Sequence, residues 1–218
     1  MTKIFRYKMT TDIGMAPCID RGLVTLATCK PSVRARAGPG DWVAGFRSVA
    51  NGVPSGMLIW AGRVAHIFSD VGGYERQHRG RSDAIYRKLP DGRFKRLRPD
   101  YHPGASEFRK DTTHPVVVFE QGAAWYFGRE PHMLPDQLIH LAPKLRDRNF
   151  LVNRARFGDA AALEQWLRSV SEPGVHGKPR DGNPFKIIRC SSPARSVDKI
   201  GWASSRGHWL RLHSCSSA

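Results

Sequence analysis

The sequence lacks the features that mark membrane and secreted proteins. It contains no run of about 18 apolar residues, so we expect no transmembrane helix. Residues 1–11 carry three basic side chains but no apolar segment of the kind that a signal peptide needs. We therefore expect a cytoplasmic protein without a membrane partner.

Cysteines are also few, and known ligand motifs are missing. The four cysteines form no C-x-x-C pair, which argues against a disulfide framework and against a zinc site. The nine histidines form no H-x-H or H-E-x-x-H motif, and neither a dinucleotide-binding nor a P-loop motif occurs. We expect mostly structural, reduced thiols, no metal and no cofactor.

Acidic residues are scarce relative to basic ones. The chain has 35 Lys and Arg residues against 19 Asp and Glu residues, which gives a net charge of +16. Such a positive field attracts polyanions and speeds their encounter with the protein. The charge favours a nucleic acid as partner, with DNA preferred. A small phosphorylated ligand, or a basic surface with no anionic partner, remains an alternative.

The pattern of apolar residues predicts five to seven short strands, followed by one or two helices. Segments 115–120 and 123–128 form either a hairpin or one bulged strand, and Gly62 suggests a bulge or a close backbone approach in its own strand. The other predicted strands are 3–10, 22–29, 41–46 and 57–68. This order predicts an α+β fold, a small twisted mixed or antiparallel β-barrel with one to three flanking helices.

The second half of the chain contains less regular segments. The turn at 90–92 predicts a hairpin, and the stretch 98–113 has no periodicity and is expected to be a long loop. Residues 159–169 predict a helix with Asp159 as its N-cap. We expect a single domain over 1–176 and a basic, flexible C-terminal tail over 177–218.

Two linked motifs resemble a known family. The segment ATCKPSVR (27–34) followed by GDWVAGF (40–46) is similar to the nucleotide modification associated domain family, type 2. DAIYR (83–87) and WYFG (125–128) extend the resemblance to roughly residues 4–180. The family occurs in phages and bacteria, and the resemblance implies a role in DNA base modification. A more distant similarity to PUA-like domains implies a barrel whose pocket holds a nucleobase.

Basic and aromatic residues near predicted strand ends are candidates for nucleotide contacts. Lys30 and Arg34 follow a strand, where loops commonly build sites, and their cations suit phosphate oxygens. Basic residues of segment 76–98 alternate with aromatics, which suits phosphate contact with base stacking, although a solvated loop is the alternative. The structural alternative for this pair is that Asp41 caps a turn and Trp42 packs in the core. The predicted binding residues are Thr28, Lys30, Arg34, Asp41, Trp42, Tyr86, Arg87, Arg93, Lys95, Arg96 and Tyr126.

Four residues are weaker candidates for catalysis. Cys29 lies beside Lys30, whose charge favours a reactive thiolate, although a buried inert thiol is the alternative. His102 and His114 flank Asp111 in the predicted loop, where a general acid–base pair can form. Ordinary loop polarity is the alternative explanation for these three residues.

The function predicted from these observations is binding of nucleic acid or a modified nucleotide within a DNA base-modification system, with other proteins of that system as further partners. One alternative is an enzyme that modifies or processes a nucleobase or nucleotide. Another is a basic phage or host protein-interaction module.

Overall fold

A computed structural model describes residues 2–48, 54, 56–144, 150–153, 156 and 158–182. Residues 1–186 form one compact unit, and a second unit, 187–218, lies outside the described residues. The helices are α1 (Pro31–Arg34), α2 (Val71–Gln77), α3 (Ala105–Thr112) and α4 (Asp159–Val170), with a 3-10 helix over Asp136–Leu141. The strands are β1 (Ile4–Met9), β2 (Cys18–Asp20), β3 (Leu23–Leu26), β4 (Trp42–Arg47), β5 (Met57–Phe68), β6 (Tyr86–Lys88), β7 (Phe94–Arg96), β8 (Val116–Tyr126), β9 (His132–Met133), β10 (Phe150–Asn153) and β11 (Gly174–Val175).

A mixed sheet forms the centre of this α+β fold. Its strands run in the order β10-β1-β4-β5-β8-β3-β2, with β9 beside β5 and β11 beside β8. Strands β1 and β4 are parallel, as are β8 and β11, and the remaining neighbours are antiparallel. In the described part of the chain this order has two open edges, so closure into a PUA-like barrel stays a prediction.

The long strands β5 and β8 confirm most of the strand pattern. The predicted segment 57–68 coincides with β5, and its register shifts next to Gly62, where a bulge was expected. The segments 115–120 and 123–128 are not two strands of a hairpin, because β8 runs through both. The bulged continuation is the correct alternative, since β5 pairs with both halves of β8.

Apolar side chains cover both faces of the sheet, which explains why β1, β4 and most of β8 are buried. On one face Trp42 and Trp125 stack with ring centroids 6.2 Å apart and pack against Leu163 and Leu167 of α4. On the other face Trp60 packs with the side chains around α1. Complete burial of one such large apolar side chain stabilises a fold by about 1.5–3 kcal/mol.

Two predictions for the irregular segments meet different outcomes. The hairpin around 90–92 is confirmed, because β6 and β7 pair antiparallel across it. The expected loop over 98–113 is wrong in its second half, where α3 forms after a capping contact between Gly104 N and the Glu107 carboxylate at 3.0 Å. Helix α4 confirms the helix over 159–169, but its N-cap is Gly158 and not Asp159.

The segment after β11 runs along the sheet. Gly177 N donates to Tyr126 O, and Arg129 N donates to Lys178 O, so the start of the predicted tail contacts the domain. The remainder of that predicted tail, 183–218, lies outside the described residues. Among the helices of the described ranges, none has the length and apolarity that crossing a membrane requires.

Candidate active site

The pairing of β3 with β8 brings together residues that are far apart in sequence. Leu26 lies opposite Val117 in the antiparallel register. The chain that leaves β3 therefore lies beside the chain that enters β8, although 82 positions separate Cys29 from Asp111. Cys29 lies three residues after the end of β3, and Asp111 is in the last turn of α3, just before β8.

A cysteine, a histidine and an aspartate form a hydrogen-bonded chain at this junction. The Cys29 Sγ atom lies 3.2 Å from Nε2 of His102, and Nδ1 of His102 lies 2.7 Å from Oδ2 of Asp111. Because a carboxylate can only accept, Nδ1–H donates to Asp111, which leaves Nε2 facing the thiol. This is the arrangement of a nucleophile, a base and a group that orients the base.

Asp111 is the centre of the hydrogen-bond network. Its side chain is 1% exposed and accepts from Cys29 N at 3.0 Å and from the Tyr86 hydroxyl at 2.9 Å, in addition to His102. The Arg34 guanidinium lies 3.5 Å from its Oδ1 atom and is itself fully buried. Both carboxylate oxygens therefore accept hydrogen bonds from neighbouring donors. These contacts hold the carboxylate in place, and the carboxylate in turn holds the imidazole.

Arg34 connects the cysteine loop to the end of α3. Its donors reach the carbonyl oxygens of Asp111 and His114 at 2.7 and 2.8 Å, and of Pro115 at 2.7 Å. Burial lowers the pKa of Arg34 to about 10, against the attraction of Asp111, so the guanidinium remains charged at neutral pH. The sequence predicted a phosphate contact for Arg34, whereas these buried contacts favour a structural role.

Backbone strain is concentrated at the site. Cys29, Lys30 and His102 have φ values of 56°, 44° and 51°, in the left-handed region that L side chains avoid. Among the described residues Arg21 is the one other non-glycine residue there. Left-handed backbone costs about 1–2 kcal/mol per residue and persists where the surroundings fix it, most often at functional sites.

The protonation of the imidazole is biased towards the cation. Burial lowers the pKa of His102, but the hydrogen bonds to Asp111 and Cys29 outweigh that effect and raise it to about 10. At neutral pH the ring is therefore an imidazolium. A protonated Nε2 can donate a hydrogen bond to Cys29 Sγ, which lies 3.2 Å away.

Tyr101 packs against the imidazole and the thiol. The Tyr101 ring stacks on His102 with centroids 4.2 Å apart, and its hydroxyl lies 3.8 Å from Cys29 Sγ and 3.3 Å from the Thr28 hydroxyl. Burial raises the pKa of Tyr101 well above its usual range, so its hydroxyl remains a donor.

The Lys30 ammonium lies 4.3 Å from the centre of the Tyr7 ring. Sequence reasoning missed Tyr7 and Tyr101, although Tyr101 directly precedes a candidate histidine.

His114 is not brought to the thiol. Its Nδ1 atom contacts Lys110 O at 2.8 Å and the Thr113 hydroxyl at 3.1 Å. The structure thus combines Cys29, His102 and Asp111 and leaves His114 outside the group. In the described ranges no group of three or more His, Cys, Asp or Glu side chains has an arrangement that could hold a metal ion.

The aromatic residues predicted to contact a base are inside the protein. Trp42 is 2% exposed, and Tyr86 and Tyr126 are 1% and 0% exposed. Tyr86 donates to Asp111, and Tyr126 donates to the buried Asp12 carboxylate at 2.7 Å. These positions favour packing and hydrogen bonding over base stacking, which requires an exposed ring face. Asp41 accepts from Lys3 N and Gly38 N, as a turn cap does.

Several basic side chains of the segment 76–98 are paired with the protein. Arg87 lies 2.9 Å from Glu75, and Arg93 lies 2.7 Å from Asp91. Arg96 donates to Pro103 O and Gly104 O and so holds the loop that follows His102. Lys95 is exposed on β7. Phosphate contacts by Arg87, Arg93, Lys95 and Arg96 stay predictions, and Arg96 has a second possible role in positioning His102.

Comparison with known proteins assigns the chain to one family. The profile of the family described as nucleotide modification associated domain 2 matches residues 1–186. No curated protein and no solved structure matches the chain. The match includes all the residues of the site described above.

Proposed function

The chain belongs to the nucleotide modification associated domain 2 family, and from this premise we propose that it is a cysteine-dependent acyl-transfer or hydrolytic enzyme acting on modified nucleotides. The observation that carries the proposal is the chain of contacts from Cys29 Sγ through His102 to Asp111, at 3.2 and 2.7 Å. A buried inert thiol does not need a histidine oriented by a carboxylate.

The proposed reaction begins with the Cys29 thiolate and the His102 imidazolium. The sulfur adds to a carbonyl carbon of a group attached to the nucleotide, and the carbon–nitrogen bond of that group then breaks. His102 Nε2 gives its proton to the leaving nitrogen, which leaves a thioester on Cys29. Water, or an acceptor amine, attacks the thioester while His102 takes up its proton. The thiolate and the imidazolium are then restored.

Asp111 has a positioning role in this scheme. Its hydrogen bond to Nδ1 keeps Nε2 directed at the sulfur and stabilises the imidazolium that alternates with the neutral ring. Tyr86, Arg34 and Cys29 N hold the carboxylate in turn. These contacts fix the geometry before substrate binds, which is what a preorganised site requires.

The enzyme is favoured over the binding-only function that the sequence placed first. The positive charge supports either function, because both need an anionic partner. The burial of Trp42, Tyr86 and Tyr126 removes support for a base-stacking platform. Nucleic acid as substrate, with DNA preferred to RNA, a closed barrel and a cytoplasmic location are finer proposals that stand beside the enzyme.

Thiol alkylation tests the central step. Iodoacetamide is added at pH 6.5, and peptide mass spectrometry measures its reaction with Cys29 separately from the other cysteines. An ordinary thiol with a pKa near 8.5 is about 1% ionised at this pH, so a thiolate held by an imidazolium reacts far faster. We expect His102→Ala to slow Cys29 alkylation by about tenfold or more. Cys18, which is 1% exposed, serves as the unreactive internal control.

The matched control is His114→Ala, which removes the other candidate histidine while keeping the contacts of Cys29. It should leave the alkylation rate within about twofold, which corresponds to a change of less than about 0.5 kcal/mol in the activation barrier. Intact-protein mass spectrometry after p-nitrophenyl acetate then tests whether an acetyl thioester forms on Cys29 and decays. Equal alkylation in the two histidine variants, or no Cys29-dependent acetylation, refutes the proposed function.

A further inference from the structure

Lys30 is the positive side chain next to the nucleophile in sequence. It follows Cys29, and both residues have left-handed backbone, which turns the chain sharply between β3 and α1. Both residues are half-buried at this turn. An anion held by Lys30 would therefore lie beside the thiol.

The surroundings of Lys30 leave its charge only partly compensated. Its Nζ atom lies over the Tyr7 ring at 4.3 Å, a contact worth about 0.5–2 kcal/mol. An ammonium has three N–H donors, and one ring face does not satisfy all of them. Within the described residues no carboxylate forms an ion pair with Lys30.

The position of this charge is costly, which argues for a role. Burial lowers the pKa of Lys30, and the attraction of Cys29 opposes that effect only in part. Lys88 provides a contrast, since it also lies near an aromatic ring, Phe94, but pairs with Asp70 at 3.0 Å on an exposed surface. A half-buried lysine without such a partner is suited to bind an anion that arrives with a ligand.

We infer that Lys30 binds an oxyanion of the substrate, a phosphoryl or carboxylate group, beside the Cys29 thiol. The inference rests on the proposed function and adds a substrate class to it. Anionic compounds are accepted, and neutral compounds of the same shape are disfavoured. Lys30 determines specificity, whereas Cys29 and His102 carry out the reaction.

The test compares two alkylating reagents that differ in charge. Iodoacetate carries a carboxylate, whereas iodoacetamide is neutral, and the ratio of their rates at Cys29 measures the preference for an anion. We expect Lys30→Gln to lower this ratio by about threefold or more, the range of one partly screened charge interaction. Lys30→Arg should restore most of the ratio, because it retains the cation. Lys88→Gln, the matched control, should leave the ratio unchanged.

Competition in the wild-type protein identifies the oxyanion. Slower alkylation by iodoacetamide in inorganic phosphate, and not in acetate at equal ionic strength, assigns a phosphoryl group. The reverse result assigns a carboxylate. An unchanged reagent ratio in Lys30→Gln overturns the inference, and so does the absence of protection by both anions.

The two proposals fail in different ways. If His102→Ala leaves the iodoacetamide rate unchanged, the proposed nucleophile is wrong, whatever Lys30 does. If His102→Ala slows the neutral reagent but Lys30→Gln leaves the ratio unchanged, the nucleophile stands and the anion site is refuted. Urea unfolding of each Lys30 variant shows that a changed ratio does not come from a loss of folded protein.

Discussion

Replacement of Asp111 by asparagine separates the two roles that the carboxylate has in this protein. Asp111 and Arg34 form a buried ion pair, with side chains 1% and 0% exposed. Asparagine has nearly the same shape, but it removes the negative charge and replaces one acceptor oxygen with a donor. The substitution thus tests the charge and the hydrogen-bond directions with little change in packing.

The expected loss of stability follows from the charge that remains. Removal of one partner of a buried pair costs about 3–5 kcal/mol, because the other charge is left uncompensated. Arg34 retains its carbonyl acceptors, so we expect Asp111→Asn to lower the free energy of unfolding by about 3 kcal/mol, the low end of that range. For a chain of this size that corresponds to a decrease in Tm of roughly 6–12 °C.

The expected effect on the thiol follows from the hydrogen-bond directions. The amide oxygen can keep the bond to Cys29 N, which places the amide NH₂ opposite Tyr86 and His102. The tyrosine hydroxyl can turn to accept, but Nδ1 of His102 accepts only when Nε2 carries the hydrogen. Nε2–H then cannot take the thiol proton as a neutral base. We expect Cys29 alkylation at pH 6.5 to fall by about tenfold.

Urea unfolding followed by tryptophan fluorescence measures the stability, since Trp42, Trp60 and Trp125 are all buried. The matched control is Glu120→Gln, which breaks an ion pair with Arg63 whose side chains are 33% and 34% exposed. That change should cost less than about 1 kcal/mol, because exposed pairs contribute little. If Asp111→Asn lowers the free energy of unfolding by less than about 1 kcal/mol, the argument that Arg34 is left as an uncompensated buried charge is refuted.

Three further substitutions address other contacts of the site. The pKa of His102 is raised by folding, so its contribution to stability is complete below its unfolded pKa of about 6.5 and is lost as pH rises to about 10. The difference in urea stability between wild type and His102→Gln should therefore shrink from pH 6 to pH 10, and a difference that grows with pH would contradict this sign. Tyr86→Phe removes the hydroxyl bond to Asp111 but keeps the ring, so unfolding free energy should fall by about 0.5–1.5 kcal/mol. An unchanged urea midpoint would mean that this bond contributes nothing. Arg96→Gln releases the carbonyls of Pro103 and Gly104, and it should slow Cys29 alkylation by a few-fold with little change in Tm. A large loss of Tm without slower alkylation would assign Arg96 to stability alone.

The strands were predictable because apolar patterning is local, whereas the helix that carries Asp111 was not. Strand β5 coincides with the predicted segment because its residues are apolar or glycine except for Arg63 and His66. Helix α3 buries a single residue, Asp111, so its sequence has no apolar stripe to detect. The helix forms where Gly104 and Glu107 cap its first turn.

The site was predictable in its residues but not in its arrangement. Cys29, His102 and Asp111 were all candidates, and His114 was an equal candidate that the fold leaves aside. The selection depends on the pairing of β3 with β8, which local sequence does not specify. Arg34 and Tyr86 were predicted to face a ligand because exposed and buried polar residues look alike in sequence. Their contacts with Asp111 instead hold the carboxylate in place.

The left-handed backbone at Lys30 provides a last test, because it separates strain from side-chain function. Lys30→Ala and Lys30→Gly both remove the ammonium group, so both should lose the preference of Cys29 for iodoacetate over iodoacetamide. They differ in backbone, since glycine adopts a φ of 44° without the steric cost that alanine has. We expect the glycine variant to be more stable to urea by about 1 kcal/mol, after allowance for its more flexible unfolded chain. Equal stability of the two variants would show that the turn is not strained. If the glycine variant is more stable but has lost anion selectivity, the residue that gives the highest stability at position 30 is not the residue that the proposed function requires.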